Sequence, residues 1–257
     1  RMRILITNDD GVESRGLGVL AAAVADAGHD VVVVAPDRDQ SGCGAGIGQW
    51  HKDEHIDVQD VDLEDAPGVR AIAVRGTPAL AVFAANLGAF GAVPDLVVSG
   101  INPGLNTGRA TLHSGTVGAA LTAANLGLSG LAVSQDYGDP MRWPTAADLG
   151  VQAIGWLEDA PERTVLNLNV PNTAPGEVKG IRWATLAPFG SVRAAIADAD
   201  EGRLQMEFRE VDDELPEDSD TALVFAGYAA VSSLVGIRVA GPLPGAIGVD
   251  PPIRRSA

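Results

Sequence analysis

Short apolar runs alternate with stretches of helical periodicity through the first two thirds of this chain. Arg3–Thr7 and Asp30–Ala35 predict strands, and the second holds a continuous valine run typical of a strand buried on both faces. Between them, Leu17–Ala27 predicts a helix that ends at Gly28. The alternation continues with predicted strands at Asp95–Ser99, Gly130–Ser134 and Thr164–Asn169, and with predicted helices from Thr77-Pro78 to about Leu87, at Thr116–Leu126 and at Thr145–Glu158.

Strands that alternate with helices at this spacing predict βαβ units and a parallel sheet covered on both faces. The pattern changes after residue 170, where Gly180–Leu186 and Arg203–Glu210 are strand-like and acidic residues with Gly, Pro and Ser surround them. We therefore expect one domain over residues 1–257, with a core at about 1–170 and a β-rich C-terminal extension at about 171–257. A further surface excursion is expected at Asp53–Asp65.

Acidic charge is concentrated in two segments of the sequence. The formal net charge is −16, and Asp53–Asp65 and Asp198–Asp220 together account for it, so that acids and bases balance in the remainder. A chain with this charge lacks the basic surface that nucleic acid polymers and anionic membranes require. The balanced remainder leaves a small phosphorylated substrate possible.

Composition also indicates the class of protein and its compartment. Hydrophobic residues make up 46% and charged residues 20% of the chain, which excludes wholesale disorder. Cys43 is the single cysteine, so no internal disulfide can form and a reducing compartment is expected. The first residues contain no apolar signal-peptide core. We expect a cytoplasmic, soluble protein.

Three loops rich in glycine and oxygen-bearing side chains follow predicted strands, at the sheet edge where α/β proteins carry their sites. They are Asn8-Asp9-Asp10-Gly11, the segment 35–42 with Ser41, and the segment 100–108 with Asn102 and Asn106. Adjacent carboxylates with hydroxyl and amide oxygens suit Mg²⁺ or Mn²⁺. An Asp-Asp-Gly tripeptide alone is equally compatible with an ordinary turn; the other two loops at the same edge favour the metal.

A second candidate feature is Ser114-Gly115-Thr116 at a predicted helix start. Free backbone N–H groups, the helix dipole and two hydroxyls would form a phosphate cradle, although ordinary capping explains the same residues. His51 and His55 have metal-pair spacing but lack a third ligand, and Cys43 lacks an evident base, which favours packing over catalysis. Dinucleotide, Walker A and G-x-S-x-G motifs are absent from the sequence.

Taken together and in order, these motifs resemble the SurE survival-protein family of metal-dependent nucleoside-monophosphate phosphatases. The resemblance extends from about Arg3 to Ser233. It is carried by Asn8-Asp9-Asp10-Gly11, Ala35-Pro36 with Ser41-Gly42, Gly76-Thr77-Pro78-Ala79, Ser99-Gly100-Ile101-Asn102 with Gly104, Asn106 and Gly108, Ser114-Gly115-Thr116-Val117, Asn167-Leu168-Asn169-Val170-Pro171, and Asp220-Thr221-Ala222 with Gly227-Tyr228.

The resemblance implies a Rossmann-like three-layer core, one divalent metal ion (Mg²⁺ or Mn²⁺) and a homodimer or homotetramer. The implied metal ligands are Asp9, Asp10, Ser41 and Asn102, and the implied phosphate-binding residues are Ser114, Gly115 and Thr116, to which we add Asn8 and Asn106. We assign catalysis to Asp9, Asp10, Asn106 and His113. His113 stands where the family usually has tyrosine; it could protonate the leaving oxygen or simply pack.

The leading hypothesis is a 5'/3'-nucleotidase that hydrolyses phosphate monoesters with the help of a metal ion. Because this chain departs from the family pattern at His113, at Thr122-Ala123 and at Cys43–Gly48, a phosphatase specialised for a biosynthetic intermediate is an alternative. A binding protein that holds metal or nucleotide without turnover is a second alternative. A nucleotide-sugar transferase half is a third, although a second Rossmann-like half is missing.

Overall fold

The computed structural model describes residues 1–48, 55–189, 192–200, 203–210 and 214–238 of the chain. Its strands are β1 Arg3–Thr7, β2 Asp30–Pro36, β3 Val58–Val61, β4 Arg70–Val74, β5 Leu96–Pro103, β6 Ser129–Gln135, β7 Val165–Val170, β8 Ile181–Trp183, β9 Val192–Asp200, β10 Arg203–Glu210 and β11 Ala229–Leu234. Its α-helices are α1 Arg15–Asp26, α2 Pro78–Asn86, α3 Gly115–Asn125, α4 Trp143–Glu158 and α5 Asp220–Phe225, with 3₁₀ helices at Gly108–His113 and Pro175–Glu177.

Nine of the described strands form one mixed sheet in the order β3-β4-β2-β1-β5-β6-β7-β11-β8. The six strands from β4 to β7 in that order are parallel, whereas β3 and β11 pair antiparallel with their neighbours β4 and β7. Since β8 pairs parallel with β11, the sheet continues past residue 170 into the C-terminal part of the chain. The remaining two strands, β9 and β10, form an antiparallel hairpin.

Helices cover both faces of the sheet, and the pleat of β1 shows how. Ile4 and Ile6 pack in one apolar cluster with residues of α1 and α4, whereas Leu5 between them packs in a second cluster with residues of α2 and α3. Successive side chains of a strand point to opposite faces, so a strand buried on both sides needs a continuous apolar run. The α/β three-layer prediction is therefore confirmed.

The predicted elements up to residue 170 are all present, with boundaries that differ by a few residues. Thr77 caps α2 as predicted, because its hydroxyl oxygen accepts a hydrogen bond from the Leu80 N–H at 3.2 Å. β5 runs on to Pro103, beyond the predicted end at Ser99, and so carries Asn102 on the strand itself. The predicted strand at Gly180–Leu186 is wrong in length, since only Ile181–Trp183 pair with β11.

Four strands and one helix were missed by the sequence patterns: β3, β4, β9, β11 and α5. The expected surface excursion at Asp53–Asp65 is wrong over Val58–Val61, which pair with β4 as an edge strand whose side chains are mostly exposed. Because both faces of this edge strand are mostly exposed, it lacks the period-2 alternation that a half-buried strand would give. His51 lies outside the described residues. No described helix is both long enough and apolar enough to cross a membrane.

Candidate functional site

The loops that follow β1, β2 and β5 meet at the carboxyl edge of the sheet, as the sequence predicts. The Gln40 N–H, in the loop after β2, donates a hydrogen bond to the Asp9 carbonyl oxygen at 2.7 Å. The Gly115 N–H, at the start of α3, donates to Asp9 Oδ2 at 3.1 Å. Asp9 is therefore the point at which these segments are joined.

Asp9 lies at the N-terminus of α3 with only 3% of its surface exposed. Its Oδ1 accepts a short hydrogen bond from the Thr116 hydroxyl, while its Oδ2 faces Gly115. Burial raises the pKa of this carboxyl above its ordinary value, and the hydrogen bonds from Thr116 and Gly115 oppose that rise. Helix N–H groups favour a negative group at this position, so the site can hold a buried carboxylate.

Asp10 carries the oxygen that best fits a cation. Its Oδ2 is buried and has no hydrogen-bond partner among the described residues, and the same is true of Asn8 Oδ1. Burial raises the pKa of Asp10 to about 7, with further rises from the negative charges of Asp9 and Asp39. Buried oxygens without a donor are costly unless another group satisfies them, and a divalent cation would do so while neutralising both carboxylates.

Asn102 and Ser41 occupy different environments around this pair. Asn102 Oδ1 lies 3.3 Å from the Thr116 hydroxyl that also bonds Asp9, and its Nδ2 donates to the Gly104 carbonyl oxygen at 2.7 Å. Ser41 is exposed, and its N–H donates to Asp39 Oδ1 at 2.7 Å. Among the described residues no group of three His, Cys, Asp or Glu side chains could hold a metal, so a cation here would depend on amide and hydroxyl oxygens.

The start of α3 differs from the expected free phosphate cradle. Ser114 is the N-cap, and its hydroxyl oxygen accepts from the Val117 N–H at 3.1 Å, so the capping interpretation is confirmed for this side chain. Gly115 and Thr116 are engaged by the Asp9 carboxylate. The N–H groups that were expected to be free are therefore partly directed at Asp9, because a carboxylate already lies at the helix N-terminus.

Asn106 is held from three directions by groups on β6 and β7. Its Nδ2 donates to Ser134 Oγ at 2.9 Å, and its N–H donates to Asn169 Oδ1 at 2.8 Å. Its carbonyl oxygen accepts from the side-chain amides of Asn167 and Asn169 at 2.8 and 3.0 Å. Both of those asparagines are fully buried, so the loop that carries Asn106 is fixed to the sheet.

His113 and Cys43 lie beside the start of α3. The His113 side chain is exposed, and its carbonyl oxygen accepts from the Gly44 N–H at 3.1 Å. A Cβ placed on Gly115 would lie 2.7 Å from Cys43 Sγ, which shows how closely the thiol approaches Asp9 and the helix start. Burial and the nearby Asp9 charge raise the pKa of Cys43 to about 11, which agrees with its interpretation as a packing residue.

One buried carboxylate near the site was not assigned a role from the sequence. Asp220, at the start of α5, is fully buried, and its Oδ2 accepts from the Gly108 N–H at 2.8 Å. Its Oδ1 accepts from the N–H groups of Ala187 and Thr221 at 3.0 and 2.8 Å. Gly108 begins the 3₁₀ helix that leads into Ser114, so Asp220 anchors the segment that precedes α3.

The raised pKa of Asp10 predicts how the stability of the metal-free protein depends on pH. The folded carboxyl titrates at about 7 and the unfolded one near 3.8, so between these pH values the folded state holds the extra proton. The free energy of unfolding contributed by Asp10 is therefore highest below pH 4 and falls as the pH rises to about 7. In EDTA, we expect Asp10→Asn to gain melting temperature relative to wild type as the pH is raised from 5 to 7.5.

Thermal unfolding at the two pH values measures this difference. Asp60→Asn, an exposed substitution on β3 that removes the same charge, serves as the control and should follow the wild-type pH dependence. If wild type and Asp10→Asn change in parallel, the Asp10 carboxyl is ionised at both pH values and the assignment is wrong.

Known proteins are similar to this chain in sequence and in fold. A family model described as survival protein SurE matches residues 4–190. The chain is 35% identical to a Brucella canis protein named 5'-nucleotidase SurE, over 97% of this chain and 100% of that protein. It is 39% identical to a protein of the same name from Stenotrophomonas maltophilia, over 77% and 75% of the two chains. The crystal structure of the SurE protein from Aquifex aeolicus superposes with a TM-score of 0.73, at 30% identity, over 90% of this chain and 92% of that one.

Proposed function

Because this chain belongs to the survival protein SurE family, we propose that it is a divalent-metal-dependent phosphatase whose main substrates are nucleoside monophosphates. The observation that carries the proposal is the pair of adjacent carboxylates Asp9 and Asp10, of which Asp9 lies at the N-terminus of α3. Asp9 is bonded to Gly115 and Thr116, and Asp10 Oδ2 is buried without a donor among the described residues. The curated relatives that are named 5'-nucleotidase support the choice of substrate class.

The proposed metal ligands are Asp9, Asp10, Ser41 and Asn102, for Mg²⁺ or Mn²⁺. When bound, such a cation neutralises charge on the phosphate and helps to position and activate a water molecule for in-line attack. Asp10 Oδ2 and Asn8 Oδ1, which are buried and have no donor within the described part of the chain, support a cation here. The oxygen-only donor set favours a hard cation over zinc.

The remaining residues would position the phosphate and handle the proton. Ser114, Gly115 and Thr116 stand at a helix N-terminus, where the dipole favours anionic oxygens and where the Asp9 carboxylate already accepts from Gly115 and Thr116. Asn8 follows β1 and Asn106 follows β5 at the same edge of the sheet. Asn106 is suited to positioning the phosphate because two buried asparagines, Asn167 and Asn169, donate hydrogen bonds to its carbonyl oxygen and hold its backbone in place. His113, which is exposed and directly precedes the N-cap of α3, is the proposed proton donor to the leaving oxygen.

Two further parts of the proposal concern the protein as a whole. We propose that it acts in the cytoplasm as a homodimer or homotetramer, which analytical ultracentrifugation would distinguish from a monomer. The substrate is proposed to be a small phosphate ester, because the acidic excess lies in two segments and the rest of the chain is balanced in charge.

The proposed activity predicts phosphate release that depends on added metal. Purified protein with Mn²⁺ or Mg²⁺ should release inorganic phosphate from adenosine 5'-monophosphate, and excess EDTA should reduce the rate to background. Returning the cation in excess should restore the rate, which separates metal removal from irreversible unfolding. The measurement is a colorimetric phosphate assay with a no-enzyme control.

Two outcomes would contradict the proposal. Activity that persists in EDTA would exclude a metal mechanism for this site. Nucleotide-induced thermal stabilisation without phosphate release, across nucleoside monophosphates, sugar phosphates and other phosphate esters, would indicate a binding protein.

A further inference from the structure

A pocket of about 520 Å³ opens at the carboxyl ends of β6 and β7, beside the candidate site. Three segments line it: the loop 136–142 after β6, the turn 171–173 after β7, and residues 224–227 at the end of α5. Its volume falls within the range of 300–1,000 Å³ that is typical of small-molecule sites. None of the metal or phosphate residues proposed above lines this pocket.

The pocket begins within the length of one nucleotide from the proposed metal ligands. Asn102 on β5 pairs with Ser134 on β6, and Asp136 in the pocket wall is two residues further along. With strands about 4.8 Å apart and about 3.3 Å per residue, the Asn102 and Asp136 backbones are about 8 Å apart. When the phosphate of a substrate lies at the start of α3, the rest of the substrate can therefore extend toward β7 and into the pocket.

The lining has the chemistry of a site for a flat, polar ring. Tyr137 and Phe225 are 74% and 60% exposed, so both aromatic side chains are available for stacking. The Arg142 guanidinium has no carboxylate partner within the described part of the chain, and the Asp136 and Asp139 carboxylates supply acceptors. Aromatic faces with donors and acceptors at the rim recognise a nucleobase.

Hydrogen bonds fix the pocket wall in place. Asn172 Oδ1 accepts from Gln135 Nε2 at 3.1 Å and from the Arg142 N–H at 2.8 Å, while Asn172 Nδ2 donates to the Pro140 carbonyl oxygen at 3.1 Å. Gln135, which is fully buried, also donates to the Arg142 carbonyl oxygen at 3.0 Å. A Cβ at Gly138 would lie 2.0 Å from Asn172 Nδ2, so the loop packs directly on this asparagine. The pocket is thus preformed, which lowers the entropic cost of binding.

We propose that this pocket binds the nucleoside portion of the substrate, with the base against Tyr137 and Phe225. The inference rests on the proposed function, because it gives the leaving group of the phosphatase reaction a site of its own. A phosphate ester that lacks an aromatic ring would use only the residues around Asp9 and α3. The pocket therefore determines specificity and takes no part in the bond-breaking step.

Substitution of the two aromatic residues tests the proposal by comparing two substrates. Tyr137→Ala and Phe225→Ala should each raise KM for adenosine 5'-monophosphate roughly 5- to 140-fold, since a base–aromatic stack contributes about 1–3 kcal/mol. KM for glycerol phosphate and kcat for both substrates should stay near the wild-type values. Trp183→Ala, which removes an equally exposed aromatic side chain on β8, is the matched control and should leave both KM values unchanged.

The outcomes separate this inference from the proposed function. Equal changes in KM for both esters, no change for either, or wild-type hydrolysis of glucose 6-phosphate in preference to nucleotides would overturn the nucleoside pocket while leaving a phosphatase. If wild type hydrolyses no ester, the proposed function fails, and calorimetric titration with adenosine then tests the pocket alone. Binding that weakens in Tyr137→Ala would support the pocket, and absence of binding to wild type would refute it.

Discussion

Asp9→Asn is expected to lower kcat/KM for phosphate ester hydrolysis by at least about 10³-fold while the protein remains folded. Loss of one carboxylate from a cation site removes several kcal/mol of charge stabilisation, and about 4 kcal/mol corresponds to that factor. The fold should tolerate the change, because an asparagine oxygen can still accept from the Gly115 N–H and its Nδ2 can donate to the Thr116 hydroxyl. Activity and stability are thereby separated.

The measurement is steady-state kinetics with saturating Mn²⁺, together with a melting curve for each variant. Asp37→Asn is the matched control, because it removes one carboxylate from the loop after β2, where Asp37 is partly exposed and 3.9 Å from Arg38. It should retain activity near that of wild type. If Asp9→Asn also retains activity, Asp9 is not a ligand of the reaction's cation.

Five of the strands in the first 170 residues, β1, β2, β5, β6 and β7, were predictable because they are largely buried on both faces. β1 and β2 lie in the centre of the sheet, so nearly every side chain is apolar and the signal is continuous. β4 is as short as β1 and also largely buried, but it was missed; arginines at positions 70 and 75 flank its four-residue apolar run. β11 was missed because Ser232 and Ser233 interrupt its apolar run, although the backbone pairs with β7 in regular antiparallel register.

The candidate site was predictable in its position and less so in its internal contacts. Three Gly-rich loops that follow parallel strands must meet at one edge, so Asp9, Asn102 and the start of α3 could be grouped from the sequence. That Asp9 bonds Gly115 and Thr116 depends on the distance between β1 and α3, which no local pattern encodes.

The contact between Asp220 and Gly108 also could not be predicted from local sequence patterns, because the two residues lie far apart in the chain. The sequence placed Asp220 at the end of an acidic segment outside the predicted site loops, but its carboxylate reaches back 112 positions to the Gly108 N–H. Burial raises its pKa, and hydrogen bonds from Ala187, Gly108 and Thr221 oppose the rise. The contacts of α5 with β11 and β7, together with the hydrogen bond from the Asp220 N–H to the Thr185 carbonyl oxygen at 2.8 Å, bring this side chain to the loop.

Gly115→Ala is expected to reduce kcat/KM by at least about 10²-fold, through displacement of Asp9. A Cβ at this position would lie 2.7 Å from Asp9 Cβ, 2.7 Å from Asp9 Oδ2 and 2.7 Å from Cys43 Sγ. Helix propensity by itself would favour alanine over glycine by up to about 1 kcal/mol. Since Asp9 is buried and cannot simply turn into solvent, steric overlap should outweigh that gain.

The contacts of this added methyl group allow a double-mutant test. Cys43→Ala removes the sulfur but not the Asp9 contacts, so Cys43→Ala with Gly115→Ala should recover only part of the lost activity, and the coupling energy measures the thiol's share. Gly155→Ala, in α4 with open space around its Cβ, is the control and should keep full activity with equal or greater stability. Wild-type activity in Gly115→Ala would mean that catalysis does not depend on the contact between Asp9 and the start of α3. Full recovery of activity in the double variant would instead show that the contact with the Cys43 thiol causes the whole loss. The Asp9 carboxylate would then be able to keep its position beside Ala at residue 115.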